Sequence, residues 1–282
     1  MRLASYNLRG RPSFGAVVGD GVVDLRARLS RFATLLDVFR AQALDQAKAA
    51  AEGVRPEVPL AELELMPPLS APEKILCIGI NYADRTKDYD MPDKPKYPSM
   101  FYRAPNSLVG HGGNLIRPKV SEELDYEGEL AIVIGRDCKH VPKDHALGVI
   151  AGVTLCNEGT IRDWIRHGKF NVTQGKNFDA TGSIGPWIAT GIDLTKPLRL
   201  TVRKNGKVTQ DDTTANMIFS FADIIAYVTT FMTLKAGDII STGTPVKTGP
   251  KTDTAVWLKP GDTIELECPE VGVLRNTVAD EA

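Results

Sequence analysis

Residues Leu124–Gly135 read LDYEGELAIVIG, and the two halves of this stretch ask for opposite surroundings. The run AIVI suits a strand inside a core, whereas Asp125, Glu127 and Glu129 crowd three carboxylates just before it. Alternate side chains of a strand face opposite ways, so the three acids share one face while Tyr126 and Leu130 take the other. Like charges this close raise one another's pKa or require a cation between them, and the apolar run carries them toward the interior. Carboxylate oxygens are hard donors, suited to Mg2+, Mn2+ or Ca2+ rather than zinc. Taken alone, an ExE pattern fits a solvated strand end equally well, and a metal site needs a third ligand from elsewhere in the chain.

Working outward, the downstream sequence repeats short β-branched runs: KILCIGI, IAGVTLC, GPWIATG, LRLTVRKNG, DIISTG and DTIELEC. These predict an α+β, mostly β region with occasional helices, for which Glu158–His167 and Phe219–Phe231 are the candidates. The first candidate follows directly on a strand, so its leading residues stand at a strand end, where sites are commonly built. Upstream, FGAVVGDGVVDL predicts two strands joined at Gly19-Asp20-Gly21. From Phe32 to Val54 apolar residues recur at helical spacing up to Gly53, which predicts one or two helices. The five prolines between Pro56 and Pro72 then predict an extended connector. The expected organisation is a small N-terminal α+β domain with its linker over 1–69 and a catalytic domain over 70–282.

Composition narrows the function classes. A chain of 282 residues, 43% hydrophobic and 24% charged, has the balance of a soluble globular protein with a substantial core. Its 34 basic and 35 acidic residues are interspersed, which excludes a nucleic-acid footprint. No apolar run approaches the roughly 20 residues that span a bilayer. The opening MRLASYNLRG lacks the apolar centre of a signal peptide, so the cytoplasm is the expected compartment. Cys77, Cys138, Cys156 and Cys268 form no CxxC pair and read as buried free thiols. The four histidines likewise lack ligand spacing.

Several segments, in order, resemble the fumarylacetoacetate hydrolase family, whose members cleave, decarboxylate or isomerise small oxo-acids. They are Gly79-Ile-Asn81-Tyr82-Ala-Asp84-Arg85, Asp125-Tyr126-Glu127-Gly-Glu129-Leu130, Asn157-Glu158-Gly-Thr-Ile-Arg162-Asp163 and Gly175-Lys176-Asn-Phe178-Asp179. Gly185-Pro186, Asn205-Gly206 with Gln210, Gly237-Asp238, Thr242-Gly243-Thr244-Pro245 and Lys259-Pro260-Gly261-Asp262 follow. The likeness runs from about Lys74 to Val278. It implies a mixed β-sandwich roll, a homodimer, and Mg2+ or Mn2+ held by Glu127, Glu129 and Glu158. The last of these departs from the family pattern, which has aspartate there; the extra methylene shifts the ion or its coordination mode.

By the same resemblance Lys176 faces the substrate as an electrostatic anchor, and Thr244 donates to a substrate carboxylate. Arg103 and Arg162 are further cation candidates, while Tyr82 and Asn81 shape the pocket. Family hydrolases activate water with a His and a Glu, but the matching positions here hold Arg85 and Asp88. Arginine stays protonated and cannot be that base. Arg85 either grips a substrate carboxylate, oriented by Asp88 on a lid, or forms a surface pair with it. His111 and His167 are the remaining candidate bases. The first reading is metal-dependent hydrolysis of a carbon–carbon bond in an acylpyruvate or other 2,4-dioxo-acid. Decarboxylation or keto–enol isomerisation of a small oxo-acid, and a ligand-binding member without turnover, stay open beside it.

Overall fold

The computed structural model describes residues 1–84, 93–169, 171–247 and 257–282. Its largest element is a mixed sheet that contains Gly128–Ile134, whereas Leu124–Asp125, expected on the same strand, pairs instead with Thr160–Ile161 in a separate two-stranded sheet. From one edge to the other, ten strands of the large sheet run Val58–Pro59, Gly21–Asp24, Arg11–Val18, Arg2–Leu8, Gly182–Thr190, Ile150–Asn157, Gly128–Ile134, Ile239–Ser241, Ile75–Gly79 and Ser99–Tyr102. Neighbours are antiparallel except Ile239–Ser241 with Ile75–Gly79, which are parallel. A second sheet joins Lys207–Thr213, Arg199–Lys204, Thr263–Cys268, Gly272–Asp280 and Asn114–Arg117.

The strand Gly128–Ile134 is buried throughout, and its alternation serves two cores. Leu130, Ile132 and Ile134 pack with Leu200, Val202, Leu266 and Leu274 of the second sheet, and with Ile224, Ile225 and Val228 of a helix. Ala131 and Val133 point the other way, into a cluster with Leu35, Leu36, Val38 and Phe39. The sheet is therefore covered on both faces, which explains a continuous apolar run in an antiparallel setting. Gly128 is demanded by that packing, since a Cβ there would come within 2.2 Å of Val202 Cγ2.

The helix Phe221–Phe231 follows its expectation closely: Phe221, Ile224, Ile225 and Val228 lie on one face, and Ser220 and Asp223 form a reciprocal capping box. The expected helix over Glu158–His167 does not form. Thr160 and Ile161 instead pair antiparallel with Asp125 and Leu124, and only a 3-10 turn, Trp164–Arg166, follows. Two β-branched residues facing a distant strand outweigh the local helical pattern.

In the N-terminal part, the hairpin strands Arg11–Val18 and Gly21–Asp24 are preceded by Arg2–Leu8, a strand that the sequence pattern did not mark. It pairs both with the hairpin and with Gly182–Thr190, so the large sheet runs on into residues 1–69. Two helices, Leu35–Arg40 and Leu44–Ala51, fill the region where one or two were expected. The proline-rich connector contains the short strands Val58–Pro59 and Glu64–Leu65 around a 3-10 turn. No helix among the described residues is long and apolar enough to cross a membrane.

Candidate metal centre

Glu127, Glu129 and Glu158 converge where the two central strands of the large sheet meet. Gly128 pairs with Asn157 and Glu129 with Cys156, so the residue after Asn157 comes level with Glu127. The Glu158 N–H donates to the Glu127 carbonyl at 2.8 Å, and the Glu127 N–H donates to Asn157 Oδ1 at 3.1 Å. One oxygen from each of the three carboxylates lies within 4.8 Å of the others, and all three side chains are buried.

The surroundings hold each carboxylate differently. Glu129 Oε2 accepts from Ser241 Oγ at 2.6 Å and from the Gly243 N–H at 2.8 Å. That amide is presented by a turn in which Gly243 has φ +101°, a left-handed conformation that suits glycine. Asn81 pins the turn, its Nδ2 donating to the Thr242 carbonyl at 2.7 Å. Glu127 Oε2 accepts from Thr160 Oγ1 at 3.1 Å and from Lys176 Nζ, while its Oε1 accepts from Arg162 Nη2 at 2.6 Å. Glu158 Oε1 is buried and has no hydrogen bond among the described residues.

Burial, reinforced by Glu158 and then Glu127, pushes the Glu129 carboxyl well above the usual carboxylate range. Burial opposes the charge on Lys176, yet Glu127 and Glu158 outweigh it and hold the ammonium above its ordinary pKa. A buried trio of oxygen donors, one oxygen without a hydrogen bond among the described residues and one carboxyl pushed toward neutrality, fits a hard divalent cation. Glu127, Glu129 and Glu158 would hold it.

The cluster opens into a cavity of about 400 Å3. Arg162, Lys176 and Thr244 share its wall with the three glutamates, and Ile78, Phe101 and Val172 supply apolar surface. Gln210 Nε2 donates to Thr244 Oγ1 at 2.9 Å. Lys176 ends a short helix, Thr173–Lys176, and its ammonium lies 5.2 Å from the Phe101 ring centre. Lys169, which the sequence reading passed over, also lines this cavity.

Two residues expected at the substrate turn inward instead. Arg103 is 2% exposed and absent from the wall; it donates to the Gly159 carbonyl at 2.9 Å, to Ser107 Oγ at 2.9 Å and to Thr181 Oγ1 at 3.2 Å. It thus ties down the turn after Glu158, with Nη1 3.6 Å from Glu158 Oε1. Tyr82 is buried, and burial raises its phenol pKa further. Arg85 and Asp88 lie outside the described residues.

Neither candidate histidine joins the cluster. His111 lines a different cavity, of about 1090 Å3, beside Met66, Pro186 and Trp187, and His167 packs against Trp164 with ring centres 4.4 Å apart. The larger void shares no lining residue with the carboxylate cavity, so size does not mark the chemistry here. All four cysteines are free, and burial pushes the Cys156 thiol up to about 12.

Known proteins share both the fold and the sequence pattern. The sequence profile of the fumarylacetoacetate (FAA) hydrolase C-terminal region matches residues 74–279. The mitochondrial oxaloacetate tautomerase FAHD2B of Homo sapiens is 36% identical over 271 residues, covering 92% of this chain and 84% of that protein. A maleylpyruvate hydrolase from Sphingobium sp. SYK-6, solved with manganese(II) and pyruvate, superposes with TM-score 0.81 at 26% identity over the whole of both chains. A 2-hydroxyhepta-2,4-diene-1,7-dioate isomerase from Mycobacterium marinum gives TM-score 0.75 at 28% identity, covering 100% of this chain and 99% of that one. With the profile spanning the ligand strand, the cavity wall and the second sheet, this chain belongs to the fumarylacetoacetate hydrolase family.

Proposed function

We propose that the chain is a metal-dependent enzyme that interconverts the keto and enol forms of a small dicarboxylic oxo-acid of the oxaloacetate type, using Mg2+ or Mn2+ on Glu127, Glu129 and Glu158. The observation that carries this reading is one cavity wall combining those three carboxylates with the Lys176 ammonium and the Arg162 guanidinium. A divalent ion in such a site supplies Lewis-acid stabilisation of developing negative charge. Lys176 Nζ, kept protonated by Glu127 and Glu158, holds a proton at the cavity surface. Arg162 adds a fixed positive charge, and Thr244, whose oxygen already accepts from Gln210, keeps its own hydroxyl proton available to a substrate carboxylate. Isoleucine, methionine and phenylalanine side chains limit water in the remaining space.

A keto–enol shift moves one proton between the α-carbon and the carbonyl oxygen, the double bond shifting from C=O to C=C, and consumes no water. It therefore does not need the hydrolytic histidine, whose position here is Arg85. No histidine is among the described residues of the cavity wall. The similarity to a human oxaloacetate tautomerase over most of the chain supports the same reading. Carbon–carbon hydrolysis of an acylpyruvate is the second reading, favoured by the likeness to the Sphingobium maleylpyruvate hydrolase.

The test mixes Mn2+-loaded protein with freshly dissolved oxaloacetate and, separately, with acylpyruvates. Enol absorbance follows the proton shift while NMR follows carbon. Faster interconversion with the carbon skeleton intact, abolished by Lys176→Met, is the expected result. Pyruvate plus a second carboxylic acid from an acylpyruvate would replace it with the hydrolytic reading, and inertness toward all substrates would sink both.

A further inference from the structure

Asp125 belongs to the acidic segment but not to the trio of convergent glutamates. It is buried, and both its oxygens are engaged by cations: Oδ1 by Lys247 Nζ and Oδ2 by Arg162 Nε at 2.7 Å. The same guanidinium continues through Nη2 to Glu127 Oε1 at 2.6 Å. Lys247 is itself clamped, its ammonium standing 4.0 Å from the centre of the Tyr126 ring, and Tyr126 is part of the inter-sheet core. The result is a row of alternating charge, Lys247, Asp125, Arg162 and Glu127, that starts on a core aromatic and ends on a carboxylate of the metal trio.

We infer that Lys247 is a positioning residue: by saturating Asp125 it fixes the Arg162 guanidinium, which in turn holds Glu127 in the orientation that a divalent ion requires. The inference rests on the reading of Glu127 as a metal ligand. Lys247 is absent from the cavity wall, so its influence on the centre passes through the row. A planar guanidinium anchored at two carboxylates has little rotational freedom. Without Lys247, one oxygen of a buried carboxylate loses its counter-charge, and Asp125 then competes with Glu127 for Arg162.

Position and plain electrostatics predict opposite signs. Taking one positive charge away from a cation site tightens metal binding if only Coulomb's law acts. Losing the positioning row weakens it, and supporting residues of this kind are worth about 10–100-fold in metal affinity. The experiment titrates Mn2+ by calorimetry into the full chain, into Lys247→Met and into Lys247→Arg, with electron paramagnetic resonance of the bound ion as a second readout. The expected result is weaker binding and an altered resonance in Lys247→Met, with both recovered in Lys247→Arg. Binding in Lys247→Met as tight as or tighter than wild type overturns the inference and leaves the metal centre standing. Absence of Mn2+ binding in the wild type overturns both together. If the methionine variant does not fold, Lys247→Gln carries the same test: weaker binding supports positioning, and equal or tighter binding overturns it.

Discussion

Lys176 Nζ lies 3.1 Å from Glu158 Oε1, yet that oxygen accepts no hydrogen bond among the described residues: the contact is one of charge, and the ammonium's directed bond goes to Glu127. Lys176 is thus the internal counter-ion of two buried carboxylates in the metal-free chain. Lys176→Met removes it, and breaking a buried pair typically costs about 3–5 kcal/mol. The melting temperature of the metal-free variant is expected to fall well below wild type, and Mn2+ to restore more of it in the variant than in wild type. Equal metal-induced shifts in the two proteins would contradict this role.

The pH dependence follows from Glu129. Its carboxyl, raised mainly by burial, keeps its proton in the folded chain at pH values where the unfolded chain has lost it. The folded state therefore binds more protons between the ordinary carboxylate pKa and the raised one, and the stability of the metal-free protein declines as pH rises through that window. Glu129→Gln flattens the decline. In the wild type, Mn2+ binding expels the proton, so the calorimetric heat at one pH should change with the ionisation enthalpy of the buffer. A heat independent of buffer would mean that Glu129 is already ionised.

The turn after Glu158 is tied down by Arg103, whose Nη1 donates to the Gly159 carbonyl at 2.9 Å. Glu158→Asp retains the charge but withdraws the oxygens by one methylene from the other two ligands. Mn2+ affinity is expected to drop, and turnover with it, since a displacement of about 1 Å can cost on the order of 10²-fold in rate. Unchanged or tighter binding would show that the chain places aspartate just as well.

Gly128→Ala tests the packing behind the ligands. The new Cβ collides with Val202, a fully buried valine of the facing sheet. Overpacking of this kind costs about 1–3 kcal/mol, to be read as a lowered midpoint in urea denaturation. Because Gly128 lies between two ligands, metal affinity should fall alongside stability.

What could be read from the sequence was local. The run GELAIVI announced a buried strand because an apolar run is a short-range signal, and the helical spacing at Phe219–Phe231 announced a helix for the same reason. The segment after Glu158 misled because its decisive partners, Leu124 and Asp125, lie across the chain and leave no trace in the periodicity. Lys247 was invisible for a stronger form of that reason: its partner Asp125 is 122 residues away, and nothing near it in sequence distinguishes it from a solvated lysine. The sequence named Arg103 and Tyr82 as candidates, but a sequence carries no information on which way a side chain turns.

The strand Gly128–Ile134 is gripped by apolar clusters on both faces and by hydrogen-bonded strands on both edges. Such a segment exchanges its amide hydrogens only in the rarest, near-global openings. Glu129 sits on it and Glu127 at its threshold, so local opening elsewhere in the chain leaves these two carboxylates in place. An ion bound there would leave from an intact strand, not through local opening of it.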